Sequence, residues 1–289
     1  MEPRKQGGQW EREPGGRKPR DRRYVDVGSH DEIILPAGDV TEGVVRVNDT
    51  VRRPHQPQSF AVAAYLDYLE RVGFDASPRY LGRDAVGRDV LTFVPGDVAS
   101  DPPESWALTD ALLASVARLV KRLHEASAGY DPADEPFPAR PGTPDDAELV
   151  THLDVTPQNV VVRDGEAVGL IDFDLAGMST RLLDSLNTAM HWVPLRDPVD
   201  LRPGSENLDQ FARLRIFADA YGWTAEQRRR LPSVAAERAE ISRLRMKERA
   251  ETLGGGWARM WDEGVGDLIL RRRAWLLANE ARLVEVLLA

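Results

Sequence analysis

The sequence predicts an α+β chain: a small β-rich N-terminal part followed by a larger, mainly helical C-terminal part. Three observations predict it. Brief β-branched pieces separated by turn residues fill the region before residue 96. Apolar residues at three- and four-residue spacing dominate the chain beyond residue 96. One pair of strand-like runs, Val160–Val162 and Val168–Ile171, interrupts the helical region and is joined by Asp164-Gly165, a strong hairpin signal.

Taken in order, EIILPAG, VVRVN and TVRRP are strand-like. A helix is expected over about 58–72, where Phe60, Ala64, Tyr65, Tyr68, Leu69 and Val72 recur at helical spacing and Gly73 closes the run. RYLG and DVLTFV read as two more strands around Ala85-Val86-Gly87-Arg88. Leu108, Ala111, Leu112, Val116, Leu119, Val120 and Leu123 form the apolar stripe of a helix ending near Ser127. Residues 129–147 carry five prolines and five acidic residues, the composition of a loop. After the hairpin, 181–192, 207–221, 225–251 and 265–288 are expected to be helical, punctuated by Gly204-Ser205-Glu206 and Gly254-Gly255-Gly256.

A length of 289 residues allows one large domain or two lobes with a sizeable core. We divide it into a tail, 1–30, an N-lobe of sheet plus one helix, 31–96, and a helical C-lobe, 97–289. There is no cysteine, which excludes disulfides, thiolate catalysis and thiolate zinc sites. No apolar run reaches the ~20 residues of a membrane span, and no signal-peptide core is seen, so a cytoplasmic location is expected. Net charge is −9, but residues 1–23 hold 8 Lys/Arg against 4 Asp/Glu and almost no aliphatics. This tail cannot bury enough apolar surface to order itself. A basic tail can touch nucleic acid, but the acidic body carries no recognisable binding motif, and a solvated tail is the preferred reading. The Arg271-Arg272-Arg273 run is likewise read as a solvated helix face.

The chemistry concentrates in THLDVTPQNVVVRDGEAVGLIDFDLAG, residues 151–177. A hairpin holds its ends together, so His152, Asp154 and Asn159 are expected beside Asp172. Two carboxylates and a carboxamide oxygen suit a hard divalent ion such as magnesium, which takes its remaining ligands from water and phosphate. A further carboxylate can accept a proton from a substrate hydroxyl.

His152-Leu153-Asp154 followed by Asn159 resembles the catalytic loop of kinase-like phosphotransferases, and Ile171-Asp172-Phe173-Asp174 sits where kinases carry Asp-Phe-Gly. With Arg181-Leu182-Leu183-Asp184, the pattern is similar to the aminoglycoside phosphotransferase-like family over about residues 31–195. The resemblance implies a two-lobed protein-kinase-like fold and Mg2+-dependent transfer of the γ-phosphate of ATP or GTP to a small-molecule hydroxyl. It implies that Asp154 is the catalytic base, that His152 holds the catalytic loop from behind, and that Asn159 and Asp172 are metal ligands. Asp174 either supports the metal or caps the next helix. Asp184 is expected to bond the catalytic-loop backbone. The interlobe hinge falls on Thr92, Phe93 and Val94, whose backbone would meet the purine.

The pattern departs from kinases in the N-lobe. The strand that should offer lysine reads Thr50-Val51-Arg52-Arg53-Pro54. Alternation puts Val51 and Arg53 on one face, which favours Arg53 as the phosphate-binding cation. The helix that should offer glutamate has only Asp67 and Glu70 as acids, and Gly38 and Gly43 do not form a glycine-rich phosphate loop. A non-catalytic nucleotide- or ligand-binding protein with a regulatory role is therefore the alternative. Trp192, Asp197, Asp200 and Glu206 are candidates for the acceptor side, where acids would suit ammonium groups, while His191 and Trp192 are expected to pack in the core. The acceptor's identity and the oligomeric state are not fixed by sequence.

Overall fold

The computed structural model describes residues 32–35, 43–138 and 142–289. The tail expected over 1–30, and Gly38 of the weak glycine loop, lie outside these residues. Two lobes are seen, one built on a sheet and one mainly helical.

The N-lobe sheet comprises β1 (Ile33–Ile34), β2 (Val45–Val47), β3 (Thr50–Arg53), β4 (Tyr80–Arg83) and β5 (Asp89–Thr92) in the order β1-β2-β3-β5-β4, with every pairing antiparallel. β3 is central, so its two arginines are not on a solvated edge: both Arg52 and Arg53 are buried. Helix α1 (Ser59–Arg71) buries Ala61, Val62, Tyr65, Leu66 and Leu69, and Gly73 follows it with φ of +82°, a left-handed value that glycine adopts freely.

The connection to the C-lobe lies against the hairpin. Asp97 N–H donates to Val162 O at 2.9 Å and Val162 N–H returns a bond at 2.8 Å. Gly96 (φ +145°) makes this approach possible, since a Cβ there would lie 2.5 Å from Val161 Cγ1 and 2.7 Å from Val162 O.

In the C-lobe, α2 (Asp110–Ser127) starts at Thr109, whose hydroxyl accepts Leu112 N–H at 3.3 Å. Its apolar stripe, with Leu112, Val116, Leu119, Val120 and Leu123, is buried as expected. Strands β7 (Val160–Arg163) and β8 (Glu166–Leu170) form the hairpin. Asp164 and Gly165 both have positive φ, +52° and +78°, as a two-residue type I′ turn requires. A pair of three-residue strands, β6 (Leu149–Thr151) and β9 (Gly177–Ser179), was not anticipated from sequence; each is too short for alternation to be read.

Helices α3 (Arg181–Trp192), α4 (Gln210–Tyr221), α5 (Ala225–Leu253), α6 (Gly255–Asp262), α7 (Val265–Ala278) and α8 (Glu280–Leu288) complete the lobe. Two expectations are corrected. The Gly254-Gly255-Gly256 run does not simply punctuate, because α6 begins within it. The helix expected over 265–288 breaks at Asn279, whose side-chain amide donates to Trp275 O at 2.8 Å; α7 packs on α5 whereas α8 also reaches α4.

The core is continuous across the lobes. Phe173 is fully buried, with its ring centroid 4.4 Å from that of His152 and 6.1 Å from that of Tyr65 on α1. The Tyr65 hydroxyl in turn donates to Val150 O at 3.2 Å, tying α1 to β6.

Candidate active site

The site is made of two loops that share their supports. The 152–159 loop runs from β6 to β7 and ends in a short 3-10 turn, Pro157–Asn159. The 171–176 loop runs from β8 to β9. The β7–β8 hairpin fixes one pair of loop ends, and the β6–β9 pairing fixes the other. Ile171 N–H donates to Asn159 O at 2.9 Å, so Asn159 and Asp172 are brought together as the hairpin argument requires.

Asp154 and Asn159 are coupled directly. The Asn159 amide donates to the Asp154 carboxylate Oδ2 and to the Asp154 carbonyl, each at 2.9 Å. This spends the amide nitrogen on Asp154 and leaves the amide oxygen of Asn159 facing away from those two acceptors. His152 is fully buried. Its Nε2 donates to Ile171 O at 3.0 Å, and its Nδ1 accepts Asp154 N–H at 3.3 Å. It therefore links the two loops from behind and touches no open space. Burial pushes its pKa below the usual histidine value, with the neighbouring Asp184 charge opposing.

The strained link is Leu153, a left-handed residue with φ of +63°. Two residues of α3 hold it there: Asp184 accepts its N–H at 2.8 Å and Asn187 donates to its carbonyl at 2.9 Å. Asp184 is fully buried and is itself held by His124 Nε2 at 2.8 Å, while His124 Nδ1 meets the Tyr221 hydroxyl at 2.8 Å. The expected backbone contact of Asp184 is thus present. His124 and Asn187 were missed by sequence reasoning. A histidine inside an apolar helical stripe, and an asparagine three residues beyond Asp184, were the available signals.

Asp172 also has a left-handed backbone, φ +62°, a conformation that aspartate tolerates better than most residues. Arg53 crosses from β3 to meet it. Both terminal nitrogens of Arg53 donate to Asp172 Oδ1, at 3.2 and 3.3 Å, and one also bonds the Asp174 carboxylate. Arg53, not Arg52, therefore faces the cleft, as strand alternation predicted. Arg52 lies instead near Asp84 and Arg88. Neither acid of α1 meets Arg53: Glu70 pairs with Arg79 at 3.2 Å on the surface. The acids that Arg53 finds come from the far lobe.

At the hinge, Thr92 N–H donates to Arg79 O at 3.0 Å and Phe93 N–H to Asp49 O at 2.8 Å. These donors are committed to the N-lobe. The Val94 backbone has no hydrogen-bond partner among the described residues, which narrows the expected purine contact to that end.

On the acceptor side the expectations are partly corrected. Trp192 is buried, and its indole N–H donates to Val155 O at 2.9 Å. His191, by contrast, keeps a solvent-exposed face, yet protein surrounds it closely enough that desolvation, with the charges of Arg272, Arg196 and Arg202, lowers its pKa to about 3. Asp197 caps the turn just after it, accepting Val199 N–H at 3.0 Å. Asp200 is paired with Arg271 at 2.5 and 2.9 Å, and Glu206 is exposed. Arg271 is thus ion-paired and Arg272 is partly buried, so the Arg271-Arg272-Arg273 run is not a uniformly solvated face.

A divalent cation is tested by donor chemistry. Asp172, Asp174 and the amide oxygen of Asn159 are hard oxygen donors, the chemistry that magnesium completed by water and phosphate oxygens takes, and both carboxylates are held by Arg53 in this structure.

Residues 137–230 match the model of the phosphotransferase enzyme family. The chain resembles that family. The matched segment holds Asp154, Asn159, Asp172, Asp174 and Asp184, and it excludes Arg53. A trifolitoxin immunity protein of Rhizobium leguminosarum bv. trifolii is 29% identical over 210 residues, covering 69% of this chain and 77% of that protein. A choline/ethanolamine kinase family protein from Mesorhizobium loti superposes with a TM-score of 0.59 at 15% identity, covering 90% of this chain and 94% of that one. The GDP complex of an aminoglycoside 2'-phosphotransferase-IIIa gives 0.57 at 14% identity, covering 86% and 94%. The fold is the two-lobed, kinase-like one.

Proposed function

We propose that this chain is a small-molecule kinase that moves the γ-phosphate of ATP or GTP to a hydroxyl. The observation that carries the proposal is the convergence of Asp154, Asn159, Asp172 and Arg53, drawn from three parts of the chain, at one point between the lobes. Nucleotide complexes are found among the solved relatives, including GDP and ADP complexes.

In this reading Asp154 accepts the hydrogen bond of the acceptor hydroxyl and aims its oxygen at the γ-phosphorus. The new bond forms from that oxygen to phosphorus, and the bond from phosphorus to the bridging oxygen breaks. The leaving nucleoside diphosphate keeps that electron pair, and the hydroxyl proton passes to Asp154. Asn159 holds the Asp154 carboxylate through its amide. When bound, magnesium would supply charge neutralisation of the phosphates, with Asn159 and Asp172 to hold it and Asp174 beside them. Arg53 already binds carboxylate oxygens, and phosphate oxygens offer the same chemistry to its guanidinium. His152, Asp184 and Asn187 position the loop and take no part in the chemistry.

Thermal unfolding with ATP and with GTP, each with and without magnesium, tests the site. Ligand at about 100 times its dissociation constant adds about 2.7 kcal/mol, several degrees in a domain of this size. A magnesium-dependent shift lost in Asp172→Ala, with phosphate transfer lost in Asp154→Asn, is expected. The second reading, a nucleotide- or ligand-binding protein that regulates without transferring phosphate, is favoured by one observation: no acid of α1 reaches Arg53. The name of the immunity protein fits either reading. Nucleotide binding with no transfer to any hydroxyl tried would select the second.

A further inference from the structure

The segment after α3 is fastened to the catalytic loop at two places. At its start Trp192 bonds Val155 O. At its end Arg202 pairs with Asp101, next to Ser100, whose carbonyl accepts the Gln158 side chain at 2.9 Å. The segment is therefore fastened at both ends to the loop that carries Asp154. Its charges are unexpected. Arg196 is 7% exposed, yet its Nε has no partner among the described residues. Gln210, 8% exposed, donates to Arg196 O at 3.2 Å while its own amide oxygen is likewise without a partner. Arg272 on α7 completes the group, with a buried, unpartnered Nε and with Arg196 and Arg202 within electrostatic reach.

Buried arginine without an acceptor is costly and uncommon. The local acids relieve it only in part: Asp200 and Asp101 act on Arg196, and Asp200 on Arg272, through charge alone, without a hydrogen bond. Asp200 is taken by Arg271, Asp101 by Arg202, and Asp197 by the turn it caps. Burial, with the like charge of Arg202, lowers the pKa of Arg196; burial, with the like charges of Arg196 and Arg202, lowers that of Arg272. A further arginine lies near the catalytic loop. Arg249 of α5 stacks over Trp257 at 4.4 Å and lies within electrostatic reach of Asp154.

We propose that the acceptor side of the cleft binds an anionic group, a carboxylate or a phosphate, and that Arg196, Arg202 and Arg272 form its subsite. The proposal rests on the phosphotransfer reading for the word acceptor; the anion subsite stands on its own geometry. It names the substrate class as a hydroxylated acid or phosphorylated alcohol. A polyamine-like acceptor would meet guanidiniums where it needs carboxylates.

The test is thermal unfolding of the full chain, without nucleotide or magnesium, titrated with inorganic phosphate and separately with malonate against sodium chloride of matched ionic strength. A saturable rise in midpoint is expected, with half-saturation weakened about tenfold or more in Arg272→Gln, the loss of one charge-assisted pair. Without the anion, Arg272→Gln is expected to melt no lower than the parent, because a like charge has been removed. Arg202→Gln, at the open end, serves if that variant does not fold. The stronger of the two anions distinguishes a phosphate from a carboxylate ligand. No saturable rise with either anion overturns the proposal. So does a rise that survives both variants but disappears in Arg53→Lys, since the anion would then sit in the nucleotide cleft. Failure of the magnesium-nucleotide shift, by contrast, would sink the phosphotransfer reading and leave the anion result intact.

Discussion

Asp184→Ala removes one carboxylate that serves two buried donors, the Leu153 N–H and His124 Nε2, both at 2.8 Å. Each donor left without an acceptor costs about 1–3 kcal/mol. Leu153 also keeps its left-handed backbone, a strain of about 1–2 kcal/mol that Asp184 now helps to offset. These terms overlap, and breaking a buried pair by deleting one partner costs about 3–5 kcal/mol in general. At roughly 2 °C per kcal/mol for a chain of this length, the midpoint should fall by roughly 6–10 °C. Differential scanning calorimetry reads it directly. Asp184→Asn keeps one acceptor oxygen and can satisfy only one of the two donors, so about half the loss is expected. Because Leu153 adjoins Asp154, both variants should lower kcat for phosphate transfer at temperatures where they remain folded, with the nucleotide KM little changed. A loss below about 1 kcal/mol in Asp184→Ala would refute the view that this carboxylate holds the loop.

Three further outcomes are expected. The folded-state pKa of His152 is depressed by burial, so its contribution to stability is present above the unfolded value near 6.5 and is lost as pH falls from there towards the folded value. Midpoints measured between about pH 5 and 8 should therefore decline on the acid side, and His152→Gln should flatten that limb. Gly96→Ala forces a Cβ against Val162 O and a φ of +145° on alanine, so a loss of about 2 kcal/mol or more is expected in a denaturant titration. Arg53→Lys keeps the charge but not the fork that meets Asp172 and Asp174 together; the KM for nucleotide should rise about tenfold while Arg53→Met abolishes the magnesium-dependent shift.

Legibility in the sequence tracks the range of the interactions. The hairpin was legible because Asp164 and Gly165 state their positive φ values locally. Helix α3 was legible to its ends because Thr180 caps it, its hydroxyl accepting Leu183 N–H at 3.2 Å, and its apolar spacing stops at Trp192. The choice of Arg53 over Arg52 needed only strand parity. Its partners did not emerge from any local rule, since Asp172 and Asp174 lie 119 and 121 residues away. The three-residue strands β6 and β9 hold the two loops together, yet each is too short for its alternation to stand out from chance. The run Val193-Pro194-Leu195-Arg196-Asp197 mixes apolar and charged residues with no helical or strand period. Only packing shows that Arg196 is turned inward while its acidic neighbour faces a turn.

The missing helix glutamate changes the electrostatics of the cleft in a definite direction. In the kinase pattern a lysine shares its charge with an N-lobe glutamate. Here Arg53 spends its charge on Asp172 and Asp174, the carboxylates that the proposed reaction needs for a cation. Arg249 of α5 is the guanidinium within electrostatic reach of the third carboxylate, Asp154. On the proposed reading, a nucleotide arriving alone would meet Asp172 and Asp174 with their charge already answered by Arg53, and magnesium would offset the phosphate charge that it adds. Arg53 would then exchange carboxylate oxygens for phosphate oxygens without losing a charge-assisted partner, which would leave Asp172 able to hold the metal. On the proposed reading, the cation that pairs with the far-lobe carboxylates in the empty cleft would also be the one that meets the phosphates. The counter-charge that the kinase pattern draws from an N-lobe glutamate comes here from the far lobe, from Asp172 and Asp174.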